Sequence, residues 1–274
     1  MKSLLFKLSS ALLLLLIYIP IFFMAGSVFA NNEIYITQVG TSNNFTLDIT
    51  QDGDDNVVQL SVSHDNNTID IDQEGNNNTV SWVSYWGSGQ NWGGDLDGSG
   101  NTLKFEQFNT TGTDANRIGF HINTNDNTVH VCQGKTFDNS SDTTCESTTT
   151  SEYGGHTVNI DLHSGDTNLK GSQETGTGNA DHEARVYTYG GENNDIFFKQ
   201  SGNGDKFLQL IVRTDNGEQE VIQAGNGDHT ATIDLTGSYT TDLSLTQNSG
   251  TNQSYTLTNN CQTSSGCSVT VTQN

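Results

Sequence analysis

Proline is almost missing from this sequence: one residue in 274, Pro20, and it lies within the first thirty. Average usage is about 5 %. Proline cannot donate to a β-ladder, so its absence from the rest of the chain suits a protein made almost wholly of paired strands. Basic residues are also scarce, 10 Lys and Arg against 32 Asp and Glu, a formal net charge of −22. No basic run exists to neutralise phosphates, which argues against nucleic acid or an anionic lipid surface as partner. Catalytic signatures are lacking too. The seven histidines are scattered, with no HExxH and no nucleophile elbow, and the acids are too numerous for any pair to stand out as a glycosidase dyad. We therefore expect no catalytic centre, no cofactor and no metal-ligand set.

Residues 1–30 differ from everything after them. Lys2 and Lys7 precede an apolar run from about Ala11 to Met24, and Gly-Ser-Val-Phe-Ala follows, with the small residues Val28 and Ala30. This is the pattern of a cleaved secretory signal, with a mature start near Asn31. The rival, an uncleaved membrane anchor, is disfavoured because the run is short and no stop-transfer charges follow. Without this segment 8 basic residues face 32 acidic ones, a net charge of −24. Export in turn makes oxidation plausible for the four cysteines, which fall in two close pairs, Cys132/Cys145 and Cys261/Cys267, each flanking a loop. Neither pair has zinc-ligand spacing, so disulfides are expected.

Gly, Asn, Asp, Ser and Thr are abundant enough to suggest disorder, but the periodicity excludes it. A unit Asn-x-ψ-x-ψ-x-Gln, with ψ apolar, recurs as NTIDIDQ (67–73), NTLKFEQ (101–107), NTVHVCQ (127–133) and NDIFFKQ (194–200), with TDLSLTQ (241–247) and CSVTVTQ (267–273) as variants. Alternating positions of a strand share a face, so Asn67, Ile69, Ile71 and Gln73 lie on one side. Related strands end at Gln38, Gln51, Gln173 and Gln223, and Gly-Asn turns follow several of the glutamines. Second strands without the glutamine, such as NVVQLSV (56–62) and HTATIDL (229–235), lie between. The unit is thus strand, turn, strand, turn, about 22 residues long, which predicts an all-β solenoid of roughly ten rungs. Stacking rungs about 4.8 Å apart would place like amides over one another, so that each buried amide finds a partner along the axis. The alternative, a β-sandwich, does not usually repeat one sequence unit.

The residues Gln38/Gly40/Asn43, Gln51/Gly53/Asn56 and Gln73/Gly75/Asn78 match the Gln-x-Gly-x-x-Asn core of the curlin repeat, and the chain resembles the curlin-repeat family of bacterial curli fibre subunits. The match covers 34–82 closely and about 194–273 loosely. The serine of the family motif is mostly Asn here, the second Gln is generally missing, and larger apolar residues replace the small Ala. The resemblance implies a secreted structural subunit that stacks into functional amyloid fibres of the extracellular matrix, for adhesion and biofilm. It also implies Gram-negative export through an outer-membrane pore and nucleation by a partner subunit. The residues expected to carry stacking are those nine together with Asn67, Asn101, Gln107, Asn127, Gln133, Asn194, Gln200, Gln223, Gln247 and Gln273.

Insertions are expected near 83–100, 134–155 and 174–193. The first holds Tyr85, Trp86 and Trp92 among glycines, a loop suited to stacking on surface glycans or to folding back over the solenoid. A monomeric adhesin or carbohydrate-binding solenoid is therefore the rival reading, and a β-helix enzyme acting on polysaccharide a weaker one. Acidic turns such as 52–56, 95–101, 202–206 and 225–229 hint at calcium, but Asn, Asp and Gly are ordinary turn residues and a solvated turn is expected.

Overall fold

The computed structural model describes residues 32–38, 44–63, 65–76, 78–80, 94–107, 115–123, 125–134, 155–163, 166–174, 182–189, 193–202, 204–213, 217–236, 241–248, 251–259 and 267–273. They form eighteen strands and no helix: β1 (Glu33–Gln38), β2 (Thr46–Asp52), β3 (Val57–Ser63), β4 (Thr68–Glu74), β5 (Gly94–Asp97), β6 (Thr102–Gln107), β7 (Ile118–Ile122), β8 (Thr128–Val131), β9 (Thr157–Leu162), β10 (Asn168–Gly171), β11 (Glu183–Thr188), β12 (Asp195–Gln200), β13 (Lys206–Val212), β14 (Gly217–Gln223), β15 (His229–Leu235), β16 (Thr241–Gln247), β17 (Gln253–Asn259) and β18 (Ser268–Gln273). Odd-numbered strands make one nine-stranded sheet and even-numbered strands a second. Every pairing is parallel, as in β2–β4 (Ile69 beside Leu47) and β13–β15 (Leu210 beside Ile233). The chain is therefore a β-solenoid in which each rung gives one strand to each sheet. Among the described residues nine strands per sheet make nine rungs, close to the ten or so expected.

Parity decides what lies between the sheets. In β4 the alternation buries Ile69, Ile71 and Gln73 and leaves Thr68 and Glu74 outside. Following the register, the odd sheet turns three apolar columns inward and the even sheet two. Val58, Leu60 and Val62 of β3 are all at most 1 % exposed, as are Ile69 and Ile71. The core is one side chain thick on each side, so a bulky residue in one rung needs a small one beside it. Gly171 of β10 shows this. A Cβ there would lie 2.1 Å from Cε2 of Phe198, its register partner on β12, so the glycine is the space the ring occupies.

Two segments read as insertions supply strands. The stretch 174–193 contains β11, whose Ala184 and Val186 are fully buried, and 83–100 contains β5, whose Leu96 is fully buried. Val80 bridges Val58 on one side and Ile118 on the other, while Leu60 pairs with Gly94. Val80 and Gly94 therefore occupy successive inward positions of one rung, with residues 81–93 between them in sequence. Tyr85, Trp86 and Trp92 fall outside the described residues, as do 1–30, most of 134–155, Gly40 and Asn43. Among the described residues no helix is long and apolar enough to cross a membrane.

The Gly171–Phe198 contact yields a test. Gly171→Ala should lower stability by about 1–3 kcal/mol, the usual cost of overpacking, and Gly171→Ala with Phe198→Leu should recover most of it. Urea unfolding of the two variants beside the parent chain measures both values.

Candidate functional site

Three corner columns run along the solenoid axis where the strands meet the turns, and polar side chains buried there set its register. The glutamine column stands at the C-terminal ends of the even strands. Gln73 donates through Nε2 to Oε1 of Gln51 at 2.6 Å and Gln107 to Gln73 at 2.8 Å. Further along, Gln133 donates to Gln173 at 2.7 Å, Gln173 to Gln200 at 2.8 Å, Gln200 to Gln223 at 2.7 Å, Gln223 to Gln247 at 2.8 Å and Gln247 to Gln273 at 2.9 Å. All from Gln73 to Gln247 are fully buried. The donor sense reverses between Gln107 and Gln133, where two carbonyl ends face each other. Gln107 Oε1 accepts the Arg117 amide at 3.2 Å, while Gln133 Oε1 has no hydrogen-bond partner. A ladder of this kind satisfies amides that would each cost about 1–3 kcal/mol if buried alone.

At the other end of the even strands stands an asparagine column. Asn67 Oδ1 accepts the Phe45 amide at 3.0 Å, Asn101 Oδ1 the Asn67 amide at 2.8 Å, and Asn127 Oδ1 the Asn101 amide at 3.1 Å. Thr167 takes the next place, and its amide donates to Asn194 Oδ1 at 3.0 Å. Each member follows a residue of positive φ, namely Asn44, Asn66, Gly100, Asp126, Asp166 or Asn193. The left-handed residue turns the chain from one sheet into the other, which is why Asn, Asp and Gly recur there.

Asn56 and Asn78, eleven residues either side of Asn67, belong to the opposite sheet. They start the odd strands, where Asn78 donates to Asn56 Oδ1 at 2.8 Å and Asn116 to Asn78 Oδ1 at 3.0 Å. Asn56 and Asn78 also donate to the Gly53 and Gly75 carbonyls, both at 2.7 Å. This explains the Gln-x-Gly-x-x-Asn spacing. The Gln ends one strand, the glycine makes the turn with φ of 107° or 89°, and the Asn closes it. Gln38 does not join the glutamine column, because it pairs with Val62 and so sits over an apolar column of the odd sheet.

Beyond Asn116 this corner changes chemistry: the register continues it through His156, His182, Lys206, His229 and Gln253. The rings of His156 and His182 stack with centroids 4.8 Å apart, and both residues are at most 1 % exposed. Burial drives the His156 pKa down to about 3. It also holds His182 well below the ordinary value, assisted by His156 and Lys206 and offset in part by the Gly204 and Gln173 carbonyls. Lys206 donates to the Gly225 carbonyl at 2.8 Å and the Gly204 carbonyl at 3.2 Å, and desolvation lowers its pKa to about 8 against the pull of Asp228 and Asp205. His229 Nε2 lies 2.8 Å from the Ala224 carbonyl. This column was missed in the sequence, although His156, His182 and His229 each open an alternating strand (HTVNIDL, HEARVYT, HTATIDL) where Asn56 opens NVVQLSV.

Cys132, on the outer side after β8, and Cys267, before β18, are both disulfide-bonded. Five strand spacings of the even sheet separate them, too far for a bond between the two. Cys145 and Cys261 lie outside the described residues. The acidic turns carry side-chain pairs of their own, Asn76 to Asp54 at 2.6 Å and Asn193 to Asp166 at 2.9 Å. No protein-family model, curated protein or solved structure matches the chain.

The histidine column predicts an acid-sensitive fold. The folded pKa values of His156 and His182 lie below the unfolded value of about 6.5, so the unfolded chain binds more protons in that range. Their stabilising contribution is complete above pH ~6.5 and is lost as pH falls toward the folded values. At pH ~5.5 the two together should cost about 3 kcal/mol. Asp72, raised to about 6 chiefly by burial, acts in the opposite direction, so the comparison must be with His156→Asn/His182→Asn. Unfolding free energies at pH 7.5 and 5.5 should fall less in that variant than in the parent chain.

Proposed function

We propose that the protein is a secreted structural subunit that stacks head to tail into curli-like fibres of the extracellular matrix. The observation that carries this reading is the match between the two ends of the solenoid. Among the described residues, β1 and β2 are the outer strands at one end and β17 and β18 at the other, each with an unpaired edge, and such edges are templates for another copy. If the register continues across a junction, Tyr255 and Leu257 meet Ile34 and Ile36, and Val269 and Val271 meet Leu47 and Ile49. Gln253, Asn259 and Gln273 meet Asn32, Gln38 and Gln51. At such a junction apolar side chains thus meet apolar ones, and amides meet amides. Val269 and Val271 are 38 % and 37 % exposed on the last strand, far more than their counterparts inside the array.

The curlin resemblance supports the same reading and adds its export route, an outer-membrane pore with a nucleating subunit, and a cell-surface location. The signal-like residues 1–30 agree with it. A second reading rests on the residues between Val80 and Gly94, which include Tyr85, Trp86 and Trp92 and interrupt the sequence of one rung. In that reading a monomeric adhesin or carbohydrate-binding solenoid presents the loop to glycans. Neither reading requires enzymatic activity.

Purified mature protein should form fibres that bind amyloid dye and whose lag disappears on adding preformed fibre. Val271→Lys places a charge on the terminal strand alone, so its melting temperature should stay within about 4 °C of the parent, yet it should neither elongate fibres nor seed them. A parent chain that stays monomeric at high concentration and binds glycan through Trp86 and Trp92 would establish the second reading instead.

A further inference from the structure

The outer face of the odd sheet carries a cluster that the stacking function leaves unused. His121 of β7 and Asp161 of β9 are register partners on adjacent strands, and His163 follows Asp161 at the next outward position. The nitrogen and oxygen atoms that these three offer lie within 4.8 Å of one another. The imidazoles of His121 and His163 meet edge to face with centroids 4.9 Å apart, and His163 Nε2 lies 3.1 Å from Asp161 Oδ2.

Asp161 is the unusual member. Its parity points it away from the core, yet it is only 2 % exposed, and its Oδ1 has no hydrogen-bond partner. A buried carboxylate oxygen left unsatisfied costs free energy. Aromatic side chains adjoin His163. Tyr189 packs on His163 at 5.0 Å, Tyr187 stacks on Tyr189 at 6.1 Å and 4°, and Arg213 lies 5.5 Å over the Tyr189 ring.

We infer that His121, Asp161 and His163 form a binding site for a zinc-class divalent transition-metal ion. Two imidazoles and one carboxylate are the donor set such ions prefer, whereas calcium and magnesium take oxygen ligands. Tetrahedral ligands about 2.0–2.1 Å from a metal stand about 3.4 Å apart. The cluster reaches that spacing through side-chain rotation, chiefly of His163, whose side chain is 39 % exposed. Three protein ligands leave one position for water or an exogenous ligand. A bound ion would also tie β7 to β9 across a rung boundary, close to the point where the glutamine ladder reverses.

The test uses full-length mature protein with its disulfides intact. Titration with zinc(II), followed by calorimetry, should show one saturable equivalent per chain. Cobalt(II) should give the visible d–d bands of a site containing nitrogen ligands. His163→Ala, a partly exposed position, and His121→Ala should each weaken zinc binding at least tenfold, while the metal-free melting temperature of His163→Ala stays near that of the parent. Zinc should raise the melting temperature of the parent and not of the variants, as preferential binding to the folded state requires. A tenfold excess of calcium should leave the zinc isotherm unchanged. Absence of saturable binding, binding unaltered in both histidine variants, or displacement by calcium would each overturn the assignment.

Discussion

Amide-to-amide hydrogen bonding between successive rungs is the constraint on which the rest of this structure depends. A two-strand rung cannot bury its own inner face, and its core is too thin to fix alignment by shape alone. The glutamines from Gln51 to Gln273 and the asparagines at Asn56, Asn67, Asn78, Asn101 and Asn127 supply what packing does not. A slip of one residue would put every one of these groups, and every apolar neighbour, on the wrong face. The turns serve the same end, since positive-φ residues such as Asn66 and Gly75 deliver the next amide to its place in the column.

Where the amides run out, the substitutes keep to the column while changing the chemistry. His156, His182, Lys206 and His229 are all buried in the corner begun by Asn56. Imidazoles can stack as flat rings at rung spacing, much as amides do, but unlike amides they can take up a proton. The lysine is held by the Gly204 and Gly225 turn carbonyls, the acceptors that such a corner offers. The C-terminal part of this corner therefore carries groups that titrate where its N-terminal part carries amides.

Much of this was legible in the sequence because the even strands carry their signature at both ends. Asn-x-ψ-x-ψ-x-Gln states the parity, the buried face and the two corner columns at once, and NTIDIDQ and NTLKFEQ need no further context. The odd strands were harder to read. EARVYT has neither a leading Asn nor a closing Gln, so β11 was absorbed into an insertion, and GDLD is too short to announce itself as half of a strand divided by residues 81–93. Gln38 looked like a ladder member because it precedes Val-Gly, but membership is decided by which sheet a strand joins, and no local motif records that. The His121, Asp161 and His163 cluster was hidden for the same reason: its members are 40 and 42 residues apart along the chain and adjacent only once the register is known.

The gap in sequence between the adjacent sheet positions Val80 and Gly94 has a consequence for how such a protein can change over time. Those two residues take consecutive inward places in the sheet although thirteen residues separate them, so the number of residues between them does not enter the alignment of any rung above or below. Novel sequence can accumulate there, or be grafted there by an experimenter, while the interior goes on obeying the same stacking rule. A molecule built from near-identical layers thus possesses a place of individuality, and in a fibre it would recur along the filament at intervals of one subunit.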